Sequence, residues 1–109
     1  FCYVDDAVRA SMSLALTDKR GIFNVGHDEE ELPIMDLAEK VVKSFDYNPK
    51  FDIKQPPEGS VQRRCPDLTR LREATGFNPK YNMDEGLRKT ILWYSEYYGT
   101  NPIVDSKFL

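Results

Sequence analysis

Two stretches of this chain have the clear make-up of β-strands, and an amphipathic helix stands between them. Ile22-Phe23-Asn24-Val25-Gly26 is a short β-branched and aromatic run bounded by glycines, and Lys50-Phe51-Asp52-Ile53-Lys54 alternates polar and apolar with period two. Two short strands do not make a self-sufficient sheet. The sequence therefore predicts a lobe that leans on a neighbouring domain, and the apolar opening Phe1-Cys2-Tyr3-Val4, where most termini are polar, predicts a piece of a longer polypeptide.

The other segments read as helices. Asp5 and Asp6 offer N-cap oxygens to a helix over 6–17, whose apolar stripe runs through Ala7, Ala10, Leu14 and Ala15. An acidic loop, 27–31, follows the first strand. Pro33 suits the first position of a helix that carries Ile34, Leu37, Ala38, Val41 and Phe45 inward. After the second strand, Pro56-Pro57-Glu58-Gly59-Ser60 stops regular structure, and Asp67 caps a short helix that ends at Gly76. Asn82 with Glu85 three residues later forms a capping-box variant for a last helix that runs to Tyr98 and closes at Gly99. The expected fold is a small mixed α/β lobe over residues 1–99, with about four helices and two or three short strands, followed by a polar tail over 100–109.

Composition narrows the function. A chain of 109 residues with 40% hydrophobic content builds a core without disulfide or metal staples. Net charge -3 and a pI near 5.1 give no pull toward nucleic acid or an anionic membrane. Cys2 and Cys65 lie far apart with neither a zinc spacing nor a disulfide framework around them, so reduced thiols in the cytoplasm are expected and no metal is. The apolar runs fall well short of the roughly 20 residues that span a bilayer.

Few side chains suit chemistry. Arg63-Arg64, on a loop that runs from the Pro56-Pro57 pair to Pro66 and into a helix start, place two guanidinium forks where bidentate capture of phosphate is possible. The alternative is a solvated basic patch facing the acidic loop. His27 stands beside Asp28 and three glutamates and reads as a surface loop residue rather than a general base. Asp5 and Asp6 are explained as caps in the positive field of a helix start. Trp93, Tyr94, Tyr97 and Tyr98 read as core and partner-facing surface. No glycine spacing forms a dinucleotide or phosphate loop, and no Tyr is followed four positions later by Lys, so no catalytic residue is assigned and no redox chemistry is expected of this chain by itself.

In order, the segments Phe1-Cys2-Tyr3-Val4-Asp5-Asp6, Phe23-Asn24-Val25-Gly26, Asp36-Leu37-Ala38-Glu39-Lys40, Arg63-Arg64-Cys65-Pro66-Asp67, Gly76-Phe77-Asn78-Pro79-Lys80 and Asp84-Glu85-Gly86-Leu87-Arg88-Lys89-Thr90-Ile91 resemble the C-terminal, substrate-binding part of the extended short-chain dehydrogenase/reductase family. These are the NAD-dependent sugar-nucleotide epimerases and dehydratases. The resemblance implies the C-terminal substrate lobe of a Rossmann-type enzyme, one that grips a nucleotide-diphosphate sugar. Its own N-terminal Rossmann domain would bind NAD(P) and carry out hydride transfer, and the full-length enzyme would be a homodimer. The fragment alone is expected to bind no cofactor. The resemblance also places Arg63 or Arg64 on the diphosphate and gives Asn24 and Gly26 to the floor of the substrate site. Which sugar nucleotide is bound, and whether epimerase, dehydratase, decarboxylase or reductase chemistry follows, stay open. The reading from a different class is a stand-alone protein-interaction module derived from that lobe, without catalysis.

Overall fold

The computed structural model describes residues 1–45 and 47–99. They form α1 (Val4–Ala15), α2 (Ile34–Val42), α3 (Thr69–Thr75) and α4 (Met83–Tyr98), joined by irregular segments. The four helices stand where the sequence places them, with ends displaced by a few residues. The polar tail expected over 100–109 lies outside the described residues.

The strands are a correction. Neither 22–26 nor 50–54 is a strand, and none occurs among the described residues. A strand persists only where its N–H and C=O groups meet a second backbone, and here the two runs do not pair. Most of their apolar side chains also lack cover: Ile22 is 83% exposed and Ile53 80%. The α/β expectation becomes four helices with extended connections.

Two glycines and one capping box end and start helices as their chemistry requires. Gly76 (φ 68°) and Gly99 (φ 65°) take the left-handed conformation that closes α3 and α4. At the start of α4, the Glu85 N–H donates to Asn82 Oδ1 at 2.8 Å, and the Asn82 N–H donates to Glu85 Oε2 at 3.0 Å. Asp67 acts one residue before the N-cap of α3, Leu68, where its Oδ1 accepts from the Thr69 N–H at 2.8 Å. Pro33 occupies the N-cap of α2 rather than its first turn, and that helix stops at Val42 instead of Phe45.

The core is small and lies between α1 and α3. Ala10, Leu68 and Leu71 are fully buried, Phe77 nearly so, and Leu14 packs against them. The guanidinium of Arg9 lies over the Phe77 ring at 5.3 Å.

Asp6 belongs to this core, which corrects its assignment as a cap. The N-cap of α1 is Tyr3, with no side-chain hydrogen bond. Asp6 is fully buried, and its carboxylate serves the turn that leads into α4. The Lys80 N–H donates to both oxygens at 3.0 Å, and the Tyr81 N–H donates to Oδ2 at 3.0 Å. Arg9 Nη2 supplies the counter-charge 3.1 Å away and also donates to the Asn78 carbonyl at 2.8 Å. A buried carboxylate needs such partners, since its desolvation is otherwise costly. One side chain thus fixes α1 against the turn before α4. Behind it, Gly86 lets α4 approach the start of α1 closely, because a Cβ there would stand 3.0 Å from Tyr3 Cβ.

Candidate functional site

Two loops that are distant in sequence meet along one edge of the lobe, 24–31 from before α2 and 62–68 from before α3. Each contact between them has a distinct chemical cause. Gly26 is buried against Pro66, and a Cβ at Gly26 would lie 2.7 Å from Pro66 Cγ, so only glycine allows this approach without displacement. Asn24 Nδ2 donates to the Asp67 carbonyl at 3.1 Å. Cys65 Sγ reaches the Asp28 carbonyl at 3.6 Å. Three residues into α3, Arg72 grips Asp28 with both terminal nitrogens at 2.6 and 2.8 Å.

These contacts bring together the four residues singled out by sequence, Asn24, Gly26, Arg63 and Arg64, although not in equal roles. Asn24 and Gly26 hold the far strand of the arginine loop at Pro66 and Asp67, immediately after the arginines. They fix where the loop stands. Arg63 and Arg64 are both exposed. Arg63 Nε donates to Glu31 Oε1 at 2.7 Å and Oε2 at 2.9 Å, and its Nη2 donates to Oε2 at 2.7 Å. One whole edge of that guanidinium is therefore spent. Arg64 takes part in no ion pair or side-chain hydrogen bond among the described residues.

Ionisation follows the same geometry. The hydrogen bonds from Arg72 hold the Asp28 carboxyl below its ordinary value, and those from Arg63 do the same for Glu31. Arg63 and Arg72 are raised in turn, chiefly by the hydrogen bonds to these carboxylates. Hydrogen bonds from Thr69 lower Asp67. The edge is a band of fixed charges in the neutral range, with one guanidinium uncommitted.

The structure also shows a cavity of about 160 Å³ that sequence reasoning missed. Phe1, Cys2, His27, Leu37, Tyr81 and Thr90 are among its lining residues. These come from five separate stretches of chain, and no short spacing signals such a convergence. His27, read from sequence as a surface loop residue, lines this cavity and has only 10% of its side chain exposed. Its Nδ1 accepts from the Glu29 N–H at 3.3 Å. Glu30, beside it, accepts from the Met83 N–H and so ties the acidic loop to the start of α4. Burial, with the Asp6 charge nearby, pushes the Cys2 thiol up and makes it a poor nucleophile.

The described residues do not supply a phosphate turn for a dinucleotide. Such a turn needs closely spaced glycines between a strand and a helix. Here the positive-φ glycines, Gly21, Gly59, Gly76 and Gly99, stand far apart and no strand precedes them. No group of three or more metal-ligating side chains occurs among the described residues, and no helix among them is long and apolar enough to cross a membrane.

The chain has curated relatives by sequence. The chain is 38% identical over 90 residues to UDP-glucuronic acid decarboxylase 5 of Arabidopsis thaliana, a match that covers 80% of this chain and 25% of the relative. It is 33% identical over 104 residues to UDP-N-acetyl-alpha-D-glucosaminuronate decarboxylase of Bacillus cytotoxicus, covering 88% of this chain and 32% of that protein. With dTDP-glucose 4,6-dehydratase 1 of Escherichia coli the identity is 30% over 100 residues, 84% of this chain and 28% of the relative. The chain thus spans between 19% and 32% of the length of curated relatives that it matches. No family model matches the chain, and no solved structure does.

Proposed function

Because this chain belongs to the extended short-chain dehydrogenase/reductase family of NAD-dependent sugar-nucleotide epimerases and dehydratases, we propose that it is a sugar-nucleotide-binding lobe whose arginine loop takes the diphosphate. The observation that carries this reading is Arg64, an exposed guanidinium without a partner among the described residues, on a loop clamped at Pro66 and Asp67 by Gly26 and Asn24. A guanidinium fork matches two phosphate oxygens, and a loop already fixed in place loses little conformational freedom on binding. The relatives named above are called after UDP- and dTDP-sugars, which share the nucleoside diphosphate.

In this division of labour the lobe supplies binding energy away from the reacting carbon and so orients the sugar. Hydride transfer with NAD(P) belongs to a Rossmann half carried elsewhere in the polypeptide, in a homodimeric enzyme of the cytoplasm. Decarboxylation and 4,6-dehydration, the reactions of the relatives named above, are the first to assay. A second reading, a non-catalytic protein-interaction module, draws on the exposed aromatic side chains of α4.

The test is kinetic. In the polypeptide that carries these residues, Arg64→Ala is expected to raise the Michaelis constant for the sugar nucleotide by about ten- to a hundred-fold, the size of a lost charge-assisted contact. A Michaelis constant and turnover both unchanged in the double variant Arg63→Ala, Arg64→Ala would remove the arginine loop from the substrate site.

A further inference from the structure

The acidic loop faces the arginine pair, yet its four carboxylates are not equivalent. Asp28 is committed to Arg72 in a two-bond pair that is largely shielded by packing. Glu29 stands 3.6 Å from Arg72. Glu30 accepts from the Met83 N–H at the start of α4. Glu31 alone reaches the arginine pair, and it takes the Nε edge of Arg63 with both of its oxygens.

That edge is one of the two bidentate edges that a guanidinium offers to a phosphate. A carboxylate and a phosphate present the same pair of acceptor oxygens to a guanidinium, so they exclude each other there. The Glu31–Arg63 pair is open to solvent, with side-chain exposures of 38% and 73%, and water screens it strongly. A weak, exposed pair gives way to a more highly charged anion. Asp28 and Arg72 do not offer the same exchange, because their pairing joins the acidic loop to α3.

We infer that Glu31 is an internal competitor for the anion site: it holds the Nε edge of Arg63 while the site is empty, and a diphosphate must displace it to take that edge. The inference rests on the reading of the arginine loop as a diphosphate site. It gives the two arginines different tasks. Arg64 makes the first contact with the incoming anion, and Arg63 offers its Nε edge only after Glu31 has left. The consequence is selectivity, since a singly charged carboxylate ligand gains nothing over Glu31 whereas a diphosphate, with more charge and more oxygens, does.

Pyrophosphate is the probe, titrated by calorimetry at fixed ionic strength into the polypeptide that carries these residues. Glu31→Gln keeps the shape and removes the competing charge, and is expected to tighten pyrophosphate binding by about two- to five-fold, the range of an exposed pair. Glu29→Gln removes one charge from the same loop without touching Arg63, and its gain is expected to be smaller. In an Arg63→Ala background the advantage of Glu31→Gln should vanish, and Arg64→Ala should weaken binding whatever stands at position 31. If Glu31→Gln gives no gain, or gains no more than Glu29→Gln, while Arg64→Ala still weakens binding, the competitor role is wrong and the diphosphate reading stands. If neither arginine variant changes pyrophosphate affinity, the diphosphate reading falls and the competitor role with it.

Discussion

Ala10 on α1 and Trp93 on α4 show how little apolarity alone decides burial. Ala10 is small and fully buried, because α3 lies across α1 and brings Leu68 and Leu71 onto it. Trp93, the largest apolar side chain in the protein, is 59% exposed, and Leu92, Tyr94, Tyr97 and Tyr98 around it are exposed as well. Only Ile91 and Ser95 of that half of α4 are buried. The aromatic residues cover one another instead. Trp93 stacks on Tyr97 at 5.6 Å and Tyr94 on Tyr98 at 6.1 Å, both at the one-turn spacing of a helix. The first region is held by an opposing element and by the buried Asp6 carboxylate; the second is held by helix-local contacts. Stability in this chain therefore depends on position relative to α1 and α3 more than on side-chain size.

Truncation measures that contrast most directly. Leu71→Ala is expected to cost about 2–5 kcal/mol in urea denaturation, since the site is fully enclosed. Trp93→Ala, which removes a far larger side chain, should cost about 0.5 kcal/mol, the value of a pair one helical turn apart. A larger loss at Trp93 than at Leu71 would break the comparison.

The polar half of the contrast comes next in size. Asp6→Ala leaves the Lys80 and Tyr81 N–H groups without their acceptor and Arg9 without its counter-charge, and should lower stability by about 3 kcal/mol. Its neighbour Asp5 only faces the positive end of α1, so Asp5→Ala should cost about 0.5 kcal/mol. Comparable losses at the two positions would mean that the turn before α4 holds without Asp6.

Asn82→Ala removes one arm of the capping box, and the expected cost is about 1 kcal/mol, read from the same denaturation curves. Local chemistry rather than packing sets this value.

Acid should produce the smallest change and should sharpen the picture of the loop edge. The Asp28 carboxyl is held below its ordinary value by Arg72, so below neutrality the folded chain binds fewer protons there than the unfolded chain. Its contribution is complete above the unfolded value and is lost as pH falls through the folded one. The urea midpoint of the wild type should therefore fall more steeply on the acid side than that of Asp28→Asn. Parallel curves would show that the Asp28–Arg72 pair adds nothing to folding.

Much of the helical layout was legible because helix ends are written locally. The Asn82 and Glu85 pair, the glycines at 76 and 99 and the periodic apolar residues each act within a few positions, so the chain alone states them. The strand readings failed for the complementary reason. Ile22, Phe51 and Ile53 carry the right residue types, but a strand is defined by a partner backbone, and none stands beside them among the described residues. Asp6 was misread through the same locality. Its position at a helix start suggests a cap, while the N–H groups that it accepts from, on Lys80 and Tyr81, lie more than 70 residues away.

The site divides in the same way. Arg63 and Arg64 stood out from sequence because paired guanidinium groups on a proline-bounded loop are rare enough to notice, and Asn24 and Gly26 came with the family resemblance. Residue type and near neighbours were thus enough to nominate Arg63 and Arg64 as candidates and to place the four helices to within a few residues. Only the tertiary structure decided that Gly26 clamps Pro66, that Glu31 takes the edge of Arg63 and leaves Arg64 open, and that His27 lines a cavity. Hydrogen bonds and close contacts act over about 3 Å, and residues that far apart along the chain reach that distance only when the fold brings their loops together.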